Sequence, residues 1–230
     1  MTIVDVPTGE VRTYPATYAG SPGSPERYVV VDYANDGIYL GLAYEGPIRG
    51  LWLMDPNAGT IRQVADLSHD RPDVIAGSAI WLGTVNPADP NPPPFGLVPA
   101  ADSVDRFDLV TGSRTPWLYL PGKGLWVVAV DSDGHPIVLV GQGPGNDIEL
   151  LLLTGPGVAQ RIGSVPTVAA IGSPLQVPGG PIADGHGVWF GSPTGVYLYS
   201  PTVGLRKVSD RAAYPGNGCR CVVRHRLPVR

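Results

Sequence analysis

The sequence predicts an all-β fold: a β-propeller of about five blades, each a four-stranded antiparallel sheet. Three observations carry this. An apolar-aromatic-apolar-Gly pattern recurs as Ile38-Tyr39-Leu40-Gly41, Ile80-Trp81-Leu82-Gly83 and Val188-Trp189-Phe190-Gly191, and without the aromatic as Val138-Leu139-Val140-Gly141. A turn ending in glycine recurs at Gly9, Gly59, Gly112, Gly157 and Gly204, at intervals of 50, 53, 45 and 47 residues. Between these marks lie strand-length β-branched and aromatic runs with no helical periodicity. A unit of about fifty residues with four short strands cannot bury both faces of its own sheet, so copies must pack face to face around an axis.

The plainest copy is residues 184–208, in which Val188-Trp189-Phe190-Gly191, Val196-Tyr197-Leu198-Tyr199 and Leu205-Arg206-Lys207-Val208 read as strands. The turns Ser192-Pro193-Thr194-Gly195 and Ser200-Pro201-Thr202-Val203-Gly204 separate them. Residues 1–14 match only the third and fourth strands of such a unit. The ring is therefore expected to be either incomplete or closed by strands from both chain ends, with Cys221–His225 as the candidate closing strand. The second blade is read from Tyr28-Val29-Val30-Val31 through Ile38–Leu42, Leu51–Met54 and Ile61–Val64. The third contains Val74-Ile75, Ala79–Leu82, Arg106–Leu109 and Arg114–Leu118. The fourth runs through Leu125–Val130, Ile137–Val140, Ile148–Leu153 and Val158–Ile162, and the fifth from Pro181-Ile182-Ala183 into the plainest copy. The third blade carries a proline-rich insertion, Thr84–Ser103, read as a long surface loop.

Composition bounds the class. Gly and Pro are abundant, at 31 and 26 residues, but 43% of residues are hydrophobic, so turns between strands explain them better than disorder does. A formal charge of −4 gives no global attraction for nucleic acid. Residues 1–210 are assigned to one propeller domain and 211–230 to a basic tail containing Arg211, Arg220, Arg224, Arg226 and Arg230. No apolar run reaches the roughly 18–20 residues needed for a membrane span. No secretory signal is visible. The compartment stays open, extracytoplasmic if a signal lies upstream. Cys219 and Cys221 are too close for a mutual disulfide and too few for structural zinc.

The stretch from Asp184-Gly185-His186-Gly187 to Trp189-Phe190-Gly191, with Gly195-Val196-Tyr197-Leu198-Tyr199-Ser200-Pro201, resembles the blades of two-component-regulator sensor propellers. Residues 3–15, Ile3-Val4-Asp5-Val6-Pro7-Thr8-Gly9-Glu10-Val11-Arg12-Thr13-Tyr14-Pro15, are similar instead to repeats of streptogramin-lyase-like propellers. The first resemblance implies a sensor-like binding module. The second implies an enzyme that uses a metal with a catalytic His and Glu, but no position here carries the surrounding motif for either role.

Candidate site residues follow from topology. In a propeller, the connection between blades and the loop from second to third strand open on one face. That face would gather His69, Arg71 and Asp73 with Glu45 and Arg49 from one blade and Asn146 and Asp147 from another. His69 has the chemistry of a general base and Arg71 that of an anion holder. The expected function is binding of a small molecule or protein at this loop face. A propeller enzyme of lyase or hydrolase type is the alternative, and a purely structural interaction domain a third. The cofactor stays unknown. Asp131-Ser132-Asp133-Gly134 resembles the opening of a calcium loop, but His135 and Gln142 stand where an EF-hand needs oxygen ligands, so it reads as an Asx-type turn and no metal is assigned. His186 is read as a turn residue on the opposite face, and Tyr39, Trp81 and Trp189 as aromatics packed between blades.

Overall fold

The computed structural model describes residues 2–4, 9–14, 27–34, 36–43, 49–65, 67, 70–84, 101–141, 147–166, 182–184, 186–192 and 194–211. Among them there is no helix. A hairpin of β1 (Thr2–Val4) and β2 (Val11–Thr13) precedes four sheets, each with its four strands in linear order. The second blade comprises β3 (Arg27–Ala34), β4 (Gly37–Ala43), β5 (Arg49–Met54) and β6 (Ile61–Ala65). The third comprises β7 (Asp70–Ala76), β8 (Ala79–Thr84), β9 (Ser103–Asp108) and β10 (Arg114–Tyr119). The fourth comprises β11 (Gly124–Val130), β12 (Pro136–Gly141), β13 (Ile148–Gly155) and β14 (Val158–Val165). The fifth comprises β15 (Ile182–Asp184), β16 (Gly187–Ser192), β17 (Gly195–Ser200) and β18 (Gly204–Ser209). All pairings within them are antiparallel. First strands of successive blades lie against one another, and the last strand of the fourth blade lies against those of the third and the fifth, so the chain is a β-propeller repeat protein with β3, β7, β11 and β15 innermost. The proposed closing strand at 221–225 lies outside the described residues. The first strand of the third blade is longer than Val74-Ile75: it begins at Asp70, so Arg71 and Asp73 stand within a strand and not in the connection before it.

The recurrent turn has a physical cause. Gly9, Gly59, Gly112, Gly157 and Gly204 have φ of 71°, 70°, 70°, 74° and 78°, a left-handed conformation that costs little only for glycine. Among the described residues, an aspartate four residues earlier completes two of these turns. Asp55 Oδ1 accepts from the N–H groups of Asn57 (2.7 Å) and Ala58 (3.0 Å), and Asp108 Oδ1 accepts from those of Val110 (3.0 Å) and Thr111 (2.9 Å). The glycine N–H then donates to the aspartate's own carbonyl, at 2.8 Å in both. Ser200 performs part of this task ahead of Gly204, its Oγ accepting from Val203 N–H.

Period-two alternation decides which side of each sheet meets which neighbour. In the third blade Ile80 and Leu82 face back onto Tyr39, Leu51 and Leu53 of the second, while Trp81 faces forward onto Leu125, Val127, Val138 and Val140 of the fourth. The same phase holds in the fourth blade, where Val138 and Val140 face back and Ile137 and Leu139 face forward onto Val188 and Phe190. Trp81 is 2% exposed and meets Trp117 edge-on at 4.6 Å between ring centres. Tyr39 is buried as expected, but Trp189 is only partly buried. The N-terminal hairpin sits behind the second blade: Tyr14 donates to the Pro56 carbonyl at 2.5 Å, and Arg12 to the same carbonyl at 3.2 Å.

Trp81→Ala should lower stability by about 3–5 kcal/mol, the usual cost of deleting a buried Trp side chain, measured as a urea midpoint shift with unchanged slope. The turn aspartates make a pH prediction. Backbone N–H bonds hold the Asp55 and Asp108 carboxyls below their ordinary value, so the unfolded chain binds protons more readily than the folded one. Their contribution is present above the ordinary aspartate value of 3.8 and is lost as pH falls through the folded-state values. Asp55→Ala with Asp108→Ala should therefore lower Tm at pH 7, and the gap to the parent should narrow as pH falls below the ordinary aspartate value of 3.8.

Candidate functional site

Antiparallel alternation puts the starts of first and third strands at one end of each sheet, which is where the loop-face residues were expected. Three segments distant in sequence are tied together there by backbone hydrogen bonds. The Leu67 carbonyl, in the connection between the second and third blades, accepts from Gly50 N–H at 3.3 Å and Asp70 N–H at 2.8 Å. This joins the start of β5 to the start of β7. The proline-rich insertion leaves from Thr84 and returns at Ala101 and Asp102, where Asp102 N–H donates to the Thr84 carbonyl at 3.1 Å. Ala101 then bridges to Leu125 of β11, whose N–H donates to its carbonyl at 2.6 Å.

Arg71 and Asp73 come from β7, where a bulge between Pro72 and Val74 leaves Asp73 free of the regular ladder. Arg71 Nε and Nη2 donate to Asp73 Oδ1 and Oδ2 at 2.5 and 3.0 Å, and the two side chains are 6% and 1% exposed. Both also reach the next blade. Arg71 Nη2 donates to the Leu125 carbonyl at 2.8 Å, and its guanidinium lies 3.8 Å over the Trp126 ring. Asp73 Oδ2 accepts from Val127 N–H at 3.0 Å. The geometry explains Gly83: a Cβ there would stand 2.5 Å from Arg71 Nη2 and 3.0 Å from the Ala101 Cβ. Burial pushes the Asp73 carboxyl up from its ordinary value, opposed by the Arg71 charge and the two sets of hydrogen bonds.

A second ionic cluster occupies the face of the same sheet turned toward the second blade. Arg114 makes a two-pronged contact with Asp70, both bonds at 2.9 Å, and donates from Nε to Asp105 Oδ2 at 2.6 Å. Partial burial lowers the Arg114 pKa, but the bonds to the two carboxylates outweigh it and the net shift is upward.

Of the residues expected on the loop face, Arg71 and Asp73 are thus close together, buried and engaged with each other. Arg49 opens β5 next to Gly50, and Asp147 is exposed immediately before β13. His69, Glu45 and Asn146 lie outside the described residues. Sequence reading missed Asp32, which from β3 accepts the Ile75 N–H of β7 at 3.3 Å and is 5% exposed. A charged residue in an apolar strand run, Tyr28-Val29-Val30-Val31-Asp32, was the available signal.

No protein-family model matches the chain, and no curated protein matches it. Among solved structures it is similar to a protein assigned as a 6-phosphogluconolactonase from Bacteroides uniformis, at 12% identity over 93% of this chain and 65% of that one, with a TM-score of 0.50. Virginiamycin B lyase from Staphylococcus aureus, solved with quinupristin, matches at 15% identity over 90% of this chain and 61% of that one, TM-score 0.48. An extracellular domain assigned to a one-component system of B. thetaiotaomicron matches at 15% identity over 90% of this chain and 25% of that one, TM-score 0.48. The chain spans from about a quarter to just under two thirds of these proteins' lengths. At such identities the likeness is one of fold.

Removing one member of a buried ion pair typically costs about 3–5 kcal/mol, since the other charge is left uncompensated. Arg71→Met should show such a loss in urea unfolding. The double variant Arg71→Met with Asp73→Asn should lose clearly less than the sum of the single losses, giving a positive coupling in the thermodynamic cycle.

Proposed function

We propose that the chain is a binding module that takes a small molecule or a protein segment at the end of the ring where β5, β7 and β13 begin. One observation carries this reading: Gly50, Leu67, Asp70, Thr84, Ala101 and Leu125, from three blades, are joined at that end by backbone hydrogen bonds. Loops held by such a fixed rim lose little further entropy on binding, which favours recognition. In this reading Arg49, His69, Asp147, Glu45 and Asn146 supply ligand contacts, while Arg71 and Asp73 hold the rim in shape from beneath. The converging charges there also suit binding better than proton transfer. Asp70, Asp73 and Asp105 each face a guanidinium, so each negative charge is balanced where it stands. The sensor-like resemblance of the blade motifs supports the same reading.

A thermal-shift screen of the whole chain against a panel of neutral and anionic metabolites tests it. A compound that raises Tm should do so about tenfold less potently with Arg49→Ala, His69→Ala and Asp147→Ala combined, while the ligand-free Tm moves by no more than about 2 °C. Consumption of any panel compound at a rate proportional to protein concentration would replace this reading with an enzymatic one.

A further inference from the structure

The hairpin joining β11 to β12 lies at the end of the fourth blade opposite the rim, and it holds an unexplained buried charge. Asp131 follows β11 with its side chain 2% exposed. Its Oδ1 accepts from the N–H groups of Asp133 and His135, both at 2.9 Å, as an Asx-type turn requires. Its Oδ2 is also buried but has no hydrogen-bond partner. His135 Nδ1 stands 3.7 Å from that oxygen, too far for a hydrogen bond. A carboxylate oxygen shielded from water and without a hydrogen-bond partner is costly, and such atoms are few in native structures, where a bound ion is one of the things that answer them.

We propose that Asp131, Asp133 and His135 form a binding site for a first-row divalent cation of the zinc class. One ligand atom from each of the three residues lies within 4.8 Å of the others. Asp131 is the fixed member, its first oxygen anchored by the turn and its second turned toward His135. Asp133 is exposed and His135 half-buried, so both side chains have room to close the remaining gap to a tetrahedral spacing. The donor set selects the ion. Two carboxylate oxygens alone would suit calcium or magnesium, but an imidazole nitrogen in a three-ligand cluster favours zinc or manganese, with water completing the shell. The neighbouring blade registers the same concentration of charge: Tyr199 of β17 is buried, and its hydroxyl pKa is raised first by burial and then by Asp131 and Asp133. A cation at the hairpin would relieve that field at the boundary between the fourth and fifth blades. The i, i+2, i+4 spacing is that of the first three ligand positions of an EF-hand, but His135 brings a nitrogen where calcium needs an oxygen, so the comparison with a calcium loop concealed a site for a different ion.

The test uses the whole chain carrying Cys219→Ser and Cys221→Ser, which removes thiolates as a rival source of zinc binding. After treatment with a chelator and desalting, it is titrated at pH 7.5 with zinc, manganese and calcium chlorides by calorimetry. One zinc ion should bind per chain at micromolar concentration or below and raise Tm. Asp133→Asn and His135→Gln should each weaken zinc binding about tenfold or more while leaving the metal-free Tm near that of the parent. The inference is overturned if neither zinc nor manganese binds saturably below millimolar concentration, or if both variants bind as the parent does. Calcium binding more tightly than zinc would overturn the assignment of the ion class.

Discussion

A propeller blade has a free edge at its innermost strand, and the N–H and C=O groups along it must be satisfied without a fifth strand. The inner edge of β11 shows how this is met. The Leu125 N–H is taken by the Ala101 carbonyl, the Leu125 carbonyl by the Arg71 guanidinium, and the Val127 N–H by the Asp73 carboxylate. Asp32 does the same for Ile75 one blade earlier. These contacts join the second blade to the third and the third to the fourth along their innermost strands. Most of the structure described above depends on them: Gly83 is empty to make room for Arg71, and the insertion returns where it does because Ala101 completes the edge.

The fold was legible because its marks are local. A left-handed glycine closing a turn and an alternating apolar triplet before a glycine are set by a few neighbouring residues, and their spacing revealed the period. The inner-edge contacts were not legible. Arg71 and Asp73 are two residues apart and point the same way from β7, onto the next blade, where both are bonded. The bulge frees Asp73 from the ladder, and nothing in Arg71-Pro72-Asp73 announces a bulge except the proline, which cannot donate to the ladder. The polarity of this stretch therefore read as a solvated connection when it is a buried strand.

The two candidate sites differ in what made them visible. The rim emerges from topology, since only the folded ring brings the start of β5 next to the start of β7. The hairpin cluster is contiguous, and its residue types were noticed; what the sequence lacked was the burial of Asp131, which separates an ordinary turn from one with an unanswered charge.

The constant phase of the alternation gives each blade a front and a back. Trp81 and Leu139 project forward from their strands and are enclosed by the following sheet, while Ile80, Leu82, Val138 and Val140 are enclosed by the preceding one. The ring is accordingly directional. Each blade's aromatic or large aliphatic plug is matched to a socket belonging to its successor, so the shape of that socket, and not the blade's own sheet, sets which side chains the plug position tolerates. Copies of the repeat can therefore differ in sequence and still build one architecture, as long as each plug fits the blade that follows it.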